Sequence, residues 1–284
     1  MFCLVVLLLI HEIFAQSLSE NELELWMSYQ KKRGKIYTSA EEQFRDQNDF
    51  VSDLHRAFLN QYDESGLPVM DTDNYGKHLP DNFSKKAWQR DLVLFESILK
   101  TQFIQGVISG QLDDSRFLNY LLQDSLYLQS NTRLMAIGAA KSDNSVDKAL
   151  FSSMSQSSAA CEMEIPERRI QKTSPMNACK QYTDFLNNLA FGELSILTAA
   201  LQPCRVSYKF LASHIFPKML PSNKFFQWAK SMYSPDYTID TDLFSCMTDR
   251  LAQTSNIDTL YHMNKAYDDA MKFELEFWQA SFNI

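Results

Sequence analysis

Three side chains able to do nucleophilic and acid/base chemistry, Asp124, Cys204 and Glu274, each fall where a helix should bury a hydrophobe. The stripe Phe117, Leu121, Asp124, Leu128 has the spacing of one helix face, so Asp124 is expected to point inward. The stripe Leu194, Leu197, Leu201, Cys204, Tyr208, Leu211 carries a thiol inward beside Pro203, which removes a backbone donor in mid-helix. Leu260, Tyr267, Met271, Glu274 and Trp278 bring a second carboxylate to the core side of the last helix. Taken singly, each has an ordinary explanation: a buried thiol is a small hydrophobe, a core Asp accepts local hydrogen bonds, and Glu274 belongs to a solvated face with Glu276. Together they suggest a site, because buried carboxylates are costly unless partnered.

The elements that position them all read as helix. Amphipathic runs are expected at roughly 84–106, 114–141, 145–163, 177–189, 192–214, 223–233, 240–253 and 256–281. Two earlier runs, 19–33 and 39–62, open on capping boxes at Ser19-x-x-Glu22 and Ser39-x-x-Glu42. Period-two alternation is missing, so no sheet is expected. From Gln61 to Asn82 the chain is rich in Asp, Gly, Pro and Asn without periodicity, which marks a domain boundary.

Composition narrows the partners. With 284 residues and a formal charge of −8, the chain has apolar content for a large core and no default affinity for nucleic acid or an anionic membrane surface. Seven glycines form neither a P-loop nor a dinucleotide fingerprint, and the five histidines show no metal-ligand spacing. MFCLVVLLLIHEIFAQS reads as a secretory signal over 1–15, too short to span a bilayer. No later stretch is long and apolar enough for a membrane helix. The expected destination is therefore secretion or an endomembrane lumen such as the lysosome or vacuole, with Asn82-Phe83-Ser84 as a glycosylation sequon. Removal of the signal leaves Cys161, Cys179, Cys204 and Cys246. In an oxidising compartment, Cys161 and Cys179, flanking a segment with Pro166 and Pro175, are the expected bridge.

Four ordered strings carry a resemblance. YLLQDSLYL at 120–128, QYTDFL at 181–186, AALQPCRVSY at 199–208 and FELEFW at 273–278 resemble the QD-x-x-Y, Tyr-Thr, ALxPCxxxY and Glu-x-x-Phe-Trp segments of the TenA family, the thiaminase II or aminopyrimidine aminohydrolases. The resemblance implies an all-α, haem-oxygenase-like helical bundle over 84–284, preceded by a small helical segment, and a hydrolase acting on aminomethylpyrimidine or thiamine without metal or organic cofactor. It implies Cys204 as nucleophile, Glu274 as the group that protonates a ring nitrogen, and Asp124 as the binder of the amidine edge. Tyr127, Tyr182, Tyr208 and, through FFQWAKSMY at 225–233, Tyr233 would line the pocket. A homo-oligomer is common in the family. The family's His-Pro-Phe is Thr101-Gln102-Phe103 here, and its helical Glu-x-x-x-His segment is replaced near CEMEIPER at 161–168. LWMSYQKKRGKIYTSAEEQFRDQNDF at 25–50 is similar to the inhibitor prodomain of cathepsin-like proteases, which implies a segment over 18–83 that engages a cysteine protease. The competing readings are a non-catalytic aminopyrimidine-binding protein and a secreted protease inhibitor acting through that segment.

Overall fold

The computed structural model describes residues 83–162 and 167–283. The expected signal at 1–15, the segment over 18–83 short of Phe83, and Asn82 of the sequon lie outside the described residues. Ser84, the sequon's hydroxyl residue, is buried: its N–H donates to Asp249 Oδ1 at 2.7 Å and its hydroxyl to the Ser245 carbonyl at 3.3 Å.

Helices α1 (Phe83–Leu99) and α2 (Gln102–Ser109) replace the single run expected over 84–106. Thr101 breaks it by capping α2, its hydroxyl accepting from the Ile104 N–H at 3.4 Å, and the two axes meet at 59°. A left-handed Gly110, φ 70°, closes α2. Helix α3 (Asp114–Lys141) starts on the Asp113 cap, whose side chain accepts from the Ser115 N–H. It is followed by α4 (Ser145–Glu162), the short α5 (Glu167–Ile170) and α6 (Asn177–Leu189). Helix α7 (Leu194–Ile215) runs on through Pro203 into a 3-10 turn at Phe216–Lys218. Then come α8 (Phe226–Met232), α9 (Pro235–Thr254) and α10 (Ile257–Ala280). Helix α9 begins earlier than the expected 240 because Ser234 caps it and Pro235 occupies the first helical position, where a missing N–H costs nothing. Among the described residues there is no strand, and no single helix is long and apolar enough to cross a membrane.

The α3–α4 and α7–α10 pairs make the most extensive helix contacts, and α6 packs on both α3 and α10. Helices α3, α6, α7 and α10 thus surround one point of the core. The α3–α4 contact depends on Gly138: a Cβ there would lie 2.5 Å from the ring of Phe151, itself fully buried. Alanine normally gains about 1 kcal/mol over glycine in a helix, but here its methyl would meet three atoms of a fully buried ring at 2.5–2.8 Å. Gly138→Ala is therefore expected to destabilise by about 1–3 kcal/mol, read as a fall of several degrees in the thermal midpoint.

Cys161 and Cys179 are not joined to each other, which corrects the expected bridge between them. The Cys179 thiol is turned into the α3–α6 contact, donating to the Gln123 carbonyl at 3.4 Å.

Candidate functional site

Helix α3 buries Tyr120, Gln123, Tyr127, Asn131 and Leu134, whereas Phe117, Leu121 and Leu128 are only half-buried. The buried face is rotated about one position from the stripe the hydrophobes suggest, and Asp124 stands at its margin. The residue retains some exposure, yet its carboxyl lines an internal pocket. Gln123 holds this turn: its amide donates to the Ser174 carbonyl at 3.1 Å and accepts from the Met176 N–H at 2.8 Å.

Asp124, Tyr127, Tyr182, Cys204, Tyr208, Glu274 and Phe277 line that pocket, a space of about 200 Å³. Six of the seven residues singled out in the sequence therefore converge. The seventh, Tyr233, ends α8 and stacks on Phe216 with centroids 4.8 Å apart, away from the lining. Phe277, one helical turn beyond Glu274, completes the wall.

The carboxylates are fixed by hydroxyls. Tyr208 donates to Asp124 Oδ1 at 3.0 Å, which leaves Tyr120 to donate to the Tyr208 oxygen at 2.9 Å. Tyr120 is clamped in turn, stacked on Trp278 at 5.3 Å. Burial raises the Asp124 carboxyl to about 6, a rise that the Tyr208 hydrogen bond opposes. Glu274 is almost fully buried, and burial lifts it from 4.5 to about 7 against the Tyr182 and Ser207 hydroxyls, which favour the ionised form. Ser207 donates to Glu274 Oε2 at 3.1 Å.

The Cys204 thiol is pushed well above its ordinary value, first by burial and then by the Glu274 charge, with Tyr127 pulling the other way. Tyr127 and Tyr182 are inclined rings 5.2 Å apart, and Tyr182 stacks on Phe273 at 5.6 Å. Their hydroxyls act on Cys204 and Glu274 electrostatically, although neither closes a hydrogen bond of ordinary geometry among the described residues.

Two neighbours escaped the sequence reading. Ser207 directly precedes Tyr208, and no local signal marks it: its hydroxyl, fully buried, meets Glu274 only because α10 packs against α7. Tyr237 of α9 is half-buried, its hydroxyl reaching the Arg205 carbonyl, next to Cys204, at 3.5 Å. Nothing in its local sequence sets it apart, since α9 reaches Cys204 only through tertiary packing.

A thiol, a carboxyl that changes protonation near neutrality and a second carboxylate between aromatic walls suit attack on a flat nitrogen heterocycle. Comparison with known proteins agrees with that geometry. Residues 96–283 match the sequence profile of the TENA/THI-4/PQQC family. The chain is 24% identical over 215 residues to the aminopyrimidine aminohydrolase of Halalkalibacterium halodurans, covering 71% of this chain and 96% of that protein. It is 22% identical over 212 residues to the aminopyrimidine aminohydrolase of Helicobacter pylori, covering 70% and 98%. Among solved structures, the TenA homologue from P. horikoshii superposes with a TM-score of 0.64 at 22% identity, over 71% of this chain and 99% of that one. The TenA homologue from Pyrococcus furiosus does so with 0.64 at 17%, over 70% and 100%. The described helices thus have the helical haem-oxygenase-like fold of these neighbours.

Proposed function

The chain belongs to the TENA/THI-4/PQQC family, and on that premise we propose that it is a hydrolase of the thiaminase II type, releasing hydroxymethylpyrimidine from an aminopyrimidine through Cys204. The observation that carries this reading is the convergence of Cys204, Glu274 and Asp124 from three helices on one aromatic pocket. Three unrelated intrusions of polar groups into a core would each cost stability with no return.

Asp124 accepts from the amidine edge of the pyrimidine, with Tyr208 holding its other lone pairs in register. Cys204 sulfur adds to a ring carbon while a ring nitrogen takes the proton from Glu274. Electrons return from the ring to expel the exocyclic amine, which is bound in its protonated form and so leaves as neutral ammonia. Water adds to the methylene and releases one proton to solvent, then the C–S bond breaks with its electrons on sulfur as the ring nitrogen returns its proton to Glu274.

The high Cys204 thiol does not conflict with this role. Thiolate plus carboxylic acid holds the same number of protons as thiol plus carboxylate, so the reactive form is a minor tautomer of the singly protonated pair. That pair forms as pH rises through the Glu274 value of about 7, and kcat/KM is expected to rise with it.

Aminomethylpyrimidine and thiamine each carry a leaving group on the exocyclic methylene of an aminopyrimidine, so either can release hydroxymethylpyrimidine by this route. Product assays on both compounds test the reading. Binding of either without turnover would replace it with a non-catalytic aminopyrimidine binder.

A further inference from the structure

Ser207 is fully buried on α7, and its hydroxyl stands within hydrogen-bond reach of two acceptors: Glu274 Oε2 at 3.1 Å and the carbonyl of Cys204, one turn back, at 2.9 Å. A serine has one proton to give. We propose that Ser207 is a positioning residue that divides this proton between Glu274 and the Cys204 backbone according to the charge on Glu274, and so reserves the other carboxyl oxygen, Oε1, for proton exchange with the pocket. The proposal rests on the reading of Glu274 as the acid of an aminopyrimidine hydrolase.

The division follows from hydrogen-bond strength. Donation to an ionised carboxylate is charge-assisted and about twice as strong as donation to a neutral carbonyl. While Glu274 is ionised, the hydroxyl therefore favours Oε2. Once Glu274 is protonated on Oε1, its remaining carbonyl oxygen is no better an acceptor than the peptide oxygen of Cys204, and the hydroxyl is shared. The carboxyl can change charge in a dry core without leaving a donor stranded in either state.

The groups around Glu274 leave this role to Ser207. From α3 come Asp124 and Tyr127, from α6 Tyr182, from α7 Cys204 and Tyr208, and from α9 Tyr237. Helix α2 carries no charged residue, and on α1 Arg90 pairs with Asp268, two turns before Glu274. Burial and then the Asp124 charge raise Glu274, whereas Tyr182, Ser207 and the Cys204 thiol favour its ionised form, and of these three only Ser207 closes a hydrogen bond of ordinary geometry to it among the described residues.

The test is a carboxyl infrared titration of the full-length protein, with Glu274 identified by subtracting the spectrum of Glu274→Gln, run beside the pH profile of kcat/KM for aminomethylpyrimidine. In Ser207→Ala, the lost donor should move the Glu274 midpoint upward by roughly one pH unit, and the rising limb of kcat/KM with it. Ser207→Thr, which restores a hydroxyl, should return both toward wild type. An infrared midpoint unchanged in Ser207→Ala, with circular dichroism showing the fold intact, overturns the proposal. A midpoint that moves in a protein showing no turnover upholds the positioning role and overturns the aminopyrimidine reading, so the two fail separately.

Discussion

Cys204→Ser should lower kcat on aminomethylpyrimidine by roughly a thousandfold or more, because a hydroxyl lacks the intrinsic nucleophilicity of a thiol and Glu274 is too weak a base to ionise it. Binding should survive. The ring is held by Asp124 and the tyrosine walls, not by the sulfur, so the Kd of hydroxymethylpyrimidine measured by calorimetry should change only a few-fold. The fold should survive as well: the side chain keeps nearly the same size inside a helix whose ends each lie about three turns away. Turnover undiminished in Cys204→Ser would falsify covalent catalysis.

Glu274→Gln should lower kcat by roughly a hundred- to ten-thousandfold, with a smaller change in KM. Glutamine keeps an acceptor for Ser207 but has no proton to deliver as charge develops on the ring nitrogen. The same substitution should stabilise the protein, and the sign follows from linkage. The folded carboxyl is raised from 4.5 to about 7, so the folded state binds its proton more tightly than the unfolded chain. Stability is therefore lost as pH rises from about 4.5 to about 7 and is lowest above that range. The gap corresponds to a penalty on the order of 3 kcal/mol for the ionised form, an upper bound for a group so deeply buried. Thermal midpoints of Glu274→Gln should exceed wild type by several degrees at pH 8 and match it at pH 4. A variant less stable than wild type at pH 8 would show that the carboxylate is paid for elsewhere in the core.

This trade explains which parts of the molecule could be read from the sequence. Helices α3 and α6 have the bounds that their periodicity and caps predict, since Asp113 and the breaks after Lys141 and Leu189 are local signals. The site residues were legible through ordered motifs and through polar groups misplaced on apolar stripes. The face of α3 was not. Over its first five turns it buries Tyr120, Gln123, Ser125, Tyr127, Ser130 and Asn131, a polar and aromatic set that a count of hydrophobes assigns to the surface, and only its later turns bury aliphatic residues such as Leu134 and Met135. A core built around a reactive site violates the pattern that elsewhere locates the core. Ser207 was hidden for a related reason: serine in a helix is unremarkable until a carboxyl arrives from 67 positions away. The cysteine pairing failed because compartment and loop length say nothing of direction, and Cys179 points at the Gln123 carbonyl of α3.

Hydrolysis in ¹⁸O-labelled water measures the proposed addition of water to an aminopyrimidine's exocyclic methylene. Purified protein given aminomethylpyrimidine should release one ammonia for each hydroxymethylpyrimidine, with one ¹⁸O in every product molecule, and Cys204→Ser should release neither. Aminomethylpyrimidine bound by the wild-type protein and returned unchanged, with no ammonia and no labelled product at pH 8, would contradict it.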